Sequence, residues 1–245
     1  MTYDNIDVKT YQKILGVKGI DNLIPIIFNI PESELDVMDM DDYSVYLQKM
    51  GQLAKQQHNF KYDKFVKGKF EFYYKDIFKL TFGEYLDMIH YIKNNQISYL
   101  YAIFWRLKVD HKPLSKPILE NYSDFDIDFR SKFFETCPSK YFFQIKNDIE
   151  KLDDLIKKKY KIIFEDDNQE EIELKDNMDA RVKAQYMHEQ KIKESFSKNA
   201  WEYTTYSLAN GDVTKYEQIF NTSFILCLNV LKLQREMELK NKKTY

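Results

Sequence analysis

The stretch that decides the fold is Lys79–Asn95, "KLTFGEYLDMIHYIKNN". Phe82, Tyr85, Leu86, Ile89 and Ile92 recur at three- and four-residue steps, so the segment predicts a helix with one apolar face. Thr81 precedes the first apolar residue and Glu84 lies three further on. That is the capping-box spacing, in which each side chain satisfies an N–H of the first turn that has no helical partner. Gly83 falls at the second helical position, where glycine costs little. A lone glycine cannot cradle a phosphate, which needs several positions of close backbone approach. Glu84 and Asp87 share one side, but acids in a first turn are what the helix dipole favours. The local reading is a helix start.

Upstream the period changes. Phe70 and Phe72 alternate with Lys69 and Glu71, and Phe60 and Tyr62 flank Lys61, so a hairpin or small sheet is expected with Gly68 near its bend. Residues 1–56 read as helical around Val8–Val17 and Tyr43–Gln56, with a loop carrying Pro25 and Pro31. Downstream, "ISYLYAIFWRL" (97–107) is apolar nearly all round and predicts the most buried helix. Pro113 and Pro117 mark a loop. "CPSKYFFQIKNDIEKLDDLIKKKY" (137–160) reads as a charged helix, and "YKIIFEDDNQEEIEL" (160–174) as a second hairpin about "DDNQ".

Asn177–Ala209 predicts a long helix with a poor apolar stripe, stopped by Asn210-Gly211, with Asp212 a new N-cap. A short helical piece, Val213–Asn221, precedes a last helix capped by Thr222 or Ser223. In it Leu226, Val230, Leu233 and Met237 step by four, three and four, a heptad-like seam too short for an independent coiled coil. The expected fold is mainly α (α+β). It comprises a helical body over 1–145 with one or two small β-hairpins, a charged helix and hairpin excursion over 146–176, and a long C-terminal helical arm over 177–245.

Composition bounds the function. With 245 residues, 44% hydrophobic and 31% charged, the chain is long enough for a core without staples. The net charge of −2 gives no global field for nucleic acid or an acidic membrane. Two cysteines, Cys137 and Cys227, suit a reducing compartment. "MTYDNIDVKT" lacks the basic and apolar regions of a signal peptide, and the apolar runs "NLIPIIFNI" and "SYLYAIFWRL" are too short to span a bilayer. A soluble, non-secreted protein is expected. Only 6 Gly and 5 Pro disfavour glycine-rich phosphate loops and turn-dense sandwiches. The 19 Tyr and 18 Phe fit protein contact surfaces, or a genome biased toward those codons.

Candidate chemistry is sparse. Asp124, Asp126, Asp128 and Glu135 occupy positions 1, 3, 5 and 12 of a calcium loop, but Phe129 stands where the sharp turn needs Gly. The alternation of Phe125, Ile127 and Phe129 predicts instead an extended segment with its apolar face inward. His58, His90, His111 and His188 lack zinc spacing, and Cys137 reads as a buried thiol. The basic "LIKKKYK" is offset by "EDDNQEE", a solvated face rather than a nucleic-acid site. No catalytic residue, cofactor or metal is expected. The arm, polar around most of its circumference, is expected to be completed by a partner chain, with Trp201, Tyr203, Tyr206, Phe196 and Met187 as interface residues.

"KFEFYYKDIFKLTFGEYLDMIHYI" followed by "YLYAIFWR" resembles a family of virion proteins of crAss-like tailed bacteriophages. Leu80–Asp87 matches that family's "LTFGE" helix motif. Ala102–Arg106 matches its second motif, with Phe104-Trp105 in place of Leu-Tyr. "LANGDVTKYEQIFNTSFILCLNVL" (208–231) is similar to a phage segment that precedes a capping helix pair. The resemblance covers roughly residues 65–135 and 200–232. It implies a non-enzymatic structural role in the virion, assembled in the host cytoplasm. The chain would be a subunit of the head–tail connector, a homo-oligomeric ring beneath the portal that contacts portal and tail proteins, with DNA only as passing cargo and no membrane contact. The alternative is a tail-assembly chaperone that binds unassembled tail or tape-measure protein.

Overall fold

The computed structural model describes residues 6–18, 20–54, 61–109, 117–164 and 200–242. The chain divides into two compact units, one of Met1–Leu80 with Asp87–Asp153, the other of Thr81–Leu86 with Asp154–Tyr245. The fold is mainly helical, with a small three-stranded antiparallel sheet among the described residues, in keeping with the expected mainly α (α+β) class.

In the first unit, helix α1 (Val8–Gly16) starts at Asp7, whose carboxylate accepts from the Thr10 N–H at 2.7 Å. Helix α2 (Ile20–Phe28) contains Pro25, so the expected loop there is helical, and Ile24 within it is fully buried. Burial outweighs the loss of one helical N–H donor. Pro31 instead stands before the short helix α3 (Glu32–Leu35), and α4 (Met40–Ala54) follows.

The hairpin forms from β1 (Lys64–Lys67) and β2 (Phe70–Tyr74). Gly68, with φ of 60°, sits in its turn, where the left-handed backbone suits glycine. The register pairs Phe65 with Phe72. The first strand therefore starts at Lys64, later than the Phe60–Tyr62 alternation suggested; Phe60 lies outside the described residues.

After α5 (Phe82–Lys93), helix α6 (Ile97–Phe104) is buried along nearly its whole length. It is shorter than expected. Trp105–Leu107 leaves the helix and becomes β3, pairing antiparallel with β2 so that Tyr74 faces Trp105. Here the tertiary demand for a sheet partner wins over local helix preference. The run is apolar on every side, so its sequence carries no period that separates strand from helix.

Helix α7 (Ile127–Phe134) replaces the predicted extended segment, and the 20-residue α8 (Lys140–Lys159) is the charged helix. Phe65, Phe72, Trp105 and Phe134 form the centre of this core, with Phe65 stacked on Tyr141 at 4.7 Å. Val8 and Ser139 bind the chain near its start to the loop before α8, through Val8 N to Cys137 O at 2.9 Å and Ser139 N to Ile6 O at 2.8 Å.

In the second unit, Lys161–Phe164 is a helical turn, α9, rather than the first arm of a hairpin. The rest of that predicted hairpin lies outside the described residues, as do residues 177–199 of the predicted long helix. Its end, Ala200–Leu208, is helical. Asn210 and Gly211 take φ of 50° and 78° and close it, and Asp212 caps the next turn through the Thr214 N–H. Tyr216–Phe220 then leads to the C-terminal helix Phe224–Lys242, preceded by Ser223. The Thr222 hydroxyl serves the earlier helix by donating to Gln218 O.

Candidate interaction site

The capping box at the opening motif is formed. The Thr81 N–H donates to Glu84 Oε2 at 2.8 Å and the Glu84 N–H to Thr81 Oγ1 at 3.3 Å. Glu84 is fully buried, so this carboxylate is a structural acceptor. The inward stripe is Phe82, Tyr85 and Met88, while Ile92, at 36% exposure, has left it. Burial is thus lost toward the end of the helix, which the four-residue steps alone do not show.

Thr81–Leu86 packs in the second unit against the C-terminal segment. Thr81 forms a β-bridge with Ser223, and Phe82 N donates to Thr222 O at 2.7 Å. Phe82 lies against Trp201 and Phe220, and Tyr85 stacks on Phe224 at 4.8 Å and 6°. A Cβ at Gly83 would stand 3.4 Å from both the Cβ and the carbonyl oxygen of Phe220. The glycine thus marks a close helix-to-helix approach. Sequence gave no signal of that contact beyond the glycine itself.

Of the predicted interface residues, Trp201 packs edge-on to Phe82 and Tyr85 of its own chain. Tyr203 and Tyr206 are exposed, the latter lying over Gly211. Phe196 and Met187 lie outside the described residues. The structure therefore brings Trp201 into the aromatic cluster and leaves the two tyrosines at the surface.

The predicted acidic positions separate into distinct tasks. Asp126 caps α7 by accepting from the Asp128 and Phe129 N–H groups. Asp128 accepts from the Tyr99 hydroxyl at 2.9 Å, and Asp124 from Asn121. Phe129 is 72% exposed, the opposite of the inward position predicted, because the segment is helical and the two-residue alternation of a strand does not apply. Among the described residues no group of three or more His, Cys, Asp and Glu could hold a metal ion, and no helix is long and apolar enough to cross a membrane.

The first unit holds a cleft of about 440 Å³ lined by Lys61, Asp63, Tyr74, Phe78, Gln144 and Asp148, among others. Asp148 accepts from the Tyr74 hydroxyl and from Lys151, each at 2.9 Å. Burial, with the Asp148 charge, pushes the Tyr74 phenol well above its ordinary pKa and keeps it protonated. Gln144 accepts from the Tyr62 N–H at 2.7 Å, and its buried Nε2 has no acceptor among the described residues. These groups mostly satisfy one another. Cys137 is buried, and burial raises its thiol to about 11, so it is a thiol and not a thiolate at neutral pH.

Two arginine sites escaped the sequence reading. Arg106, fully buried, lies over the Tyr122 and Phe125 rings at 4.8 and 4.9 Å and donates to Ile103 O. Arg130 makes a bidentate pair with Glu120 at 2.6 and 3.0 Å. Both depend on partners distant in sequence or across a turn, which no local spacing reveals.

No family model, curated protein or solved structure matches the chain.

Proposed function

We propose that this chain is a non-enzymatic structural protein of the virion: a subunit of the head–tail connector of a crAss-like phage, assembled as a ring beneath the portal. The starting point is the sequence resemblance carried by Leu80–Asp87, Ala102–Arg106 and residues 208–231. One observation in the fold supports it most. Thr81–Leu86 and the 208–231 segment, far apart in the chain, build a single aromatic cluster joined by the Thr81–Ser223 bridge. Two motifs that pack together behave as parts of one structural element rather than as two independent short matches. Glu84 and Gly83, the residues of the motif that suggest chemistry, serve capping and close packing there.

The test is co-expression with a candidate portal protein, followed by native mass spectrometry of the purified material and protein identification in finished particles. The connector reading expects a closed homo-oligomer that binds the portal protein and is present in particles. Binding only to unassembled tail or tape-measure protein, with absence from particles, favours the assembly chaperone and overturns the connector.

A further inference from the structure

The C-terminal helix carries two apolar faces, and the second unit uses one of them. Phe224, Cys227 and Leu228 are buried. Leu226, Val230, Leu233 and Met237 are 54%, 37%, 59% and 64% exposed. At about 100° per residue the exposed four fall within one narrow stripe, roughly 140° around the helix from the buried face. The stripe runs about 16 Å along the axis. A helix whose apolar surface points both inward and directly outward is built to be covered twice.

We infer that the outward stripe is the contact between two copies of this chain, paired as parallel, in-register helices. The residue types choose the occupant. In heptad phase Leu226 and Leu233 take the d positions and Val230 and Met237 the a positions, and a β-branched a residue with Leu at d favours two parallel strands. The flanks agree. Asn229 would face Gln234 of the second copy, and Glu236 would face Asn241, so hydrogen-bonding groups meet at the flanks and neither flank pair sets like charges together. The Tyr160 hydroxyl donates to Asn229 Oδ1 at 2.8 Å, which orients that amide and leaves its NH₂ to donate outward. Lys240 occupies the next d position, where two ammonium groups would face each other, and their repulsion ends the seam.

Two heptads do not hold an isolated coiled coil. Here the helix is already ordered by its own unit, so pairing does not bear the cost of forming it. The seam is still smaller than a standard interface, which buries roughly 800 Å² per partner, so pairing should depend on concentration. A parallel pair has two-fold symmetry and is distinct from the heterologous contacts that close a ring. The inference therefore stands apart from the connector reading.

Sedimentation equilibrium of the full chain over a wide concentration range tests it, with Leu233→Glu and Leu233→Cys as variants. The expected result is a concentration-dependent dimer that Leu233→Glu weakens by about tenfold or more, because two carboxylates would face each other in the seam. At concentrations low enough to keep both proteins monomeric, its thermal unfolding should stay cooperative with the same Tm as the native chain. Leu233→Cys should cross-link to itself under a mild oxidant, since only parallel register sets 233 opposite 233. A native chain that stays monomeric throughout overturns the inference. So does a dimer, or a larger closed oligomer, that Leu233→Glu leaves intact; the latter would leave the ring reading standing. A fall in Tm without a change in mass shows that the same chain covers the stripe, and also overturns it. Cross-linking only between Val230→Cys and Leu233→Cys chains assigns antiparallel pairing and overturns the parallel register.

Discussion

Thr81 and Gly83 show how a motif that suggests function can be spent on packing. Thr81 holds the first turn of α5 through a reciprocal cap whose acid is fully buried. Thr81→Ala removes one acceptor and should cost about 0.5–2 kcal/mol, read as a lower Tm with the oligomeric state unchanged. Assembly lost at an unchanged Tm would assign Thr81 a contact role instead. Gly83 tests the close approach to Phe220. Ala places its Cβ at ordinary contact distance and gains helix propensity, so Gly83→Ala should be neutral or slightly stabilising. Gly83→Leu has to displace the Phe220 side chain or backbone and should destabilise by about 1–3 kcal/mol. Urea unfolding of both variants separates them; equal midpoints would mean that the approach is not tight.

At the scale of elements, α7 and β3 are held by interactions that local preference does not supply. The Arg130–Glu120 pair ties α7 to the segment before it, and Glu120 also accepts from the Leu107 N–H at 2.9 Å at the end of β3. The pair's side chains are only 12% and 9% exposed. Removing one charge strands the other in a poorly solvated place, and breaking such a pair costs about 3–5 kcal/mol. Arg130→Ala should therefore lower stability by about 3 kcal/mol in urea titration. Arg130→Met combined with Glu120→Gln should lose clearly less, since no uncompensated charge remains. If the single and double variants lose equally, packing rather than charge is what the pair provides. The same elements explain the two reassignments in this region. Trp105 joins a strand because β2 offers an open edge, and Asp126 starts a helix because its carboxylate is free to cap one.

At the scale of the whole molecule, the second unit depends on both ends of its discontinuous sequence. Truncation before Asn177 removes Trp201, Phe220 and Phe224, the partners of Phe82 and Tyr85. The shortened chain should aggregate or lose cooperative unfolding; a soluble, cooperatively folded product would show that the second unit is dispensable. The whole fold should also be alkali-sensitive. Burial raises the Cys137 thiol to about 11 and, with help from the Asp87 charge, the Tyr91 phenol to about 12. Tyr74, Tyr101 and Tyr122 are pushed up as well, mainly by burial. The folded chain keeps protons that the unfolded chain releases, so unfolding gains as pH rises. Stability should be intact below about pH 9 and fall progressively toward pH 11. Urea midpoints measured between pH 8 and 11 check this, and a flat profile would contradict it.

Sequence by itself determined the elements whose signals are local. The capped start of α5, the hairpin about Gly68, the charged α8 and the Asn210-Gly211 stop each follow from signals within the element: a side chain reaching a nearby N–H, a residue at positive φ, or an amphipathic period. Period and capping carry that information, because their partners lie within one or two turns. Tertiary structure decided the rest. Strand or helix at Trp105, the inward face of α5 at Met88 rather than Ile92, and the seat of Trp201 all depend on segments far along the chain. So do the pairing of Thr81 with Ser223 and the burial of Arg106 between two rings. The physical reason is that an apolar residue records how strongly it should be buried but not against what, and a polar residue records a need for partners but not their address.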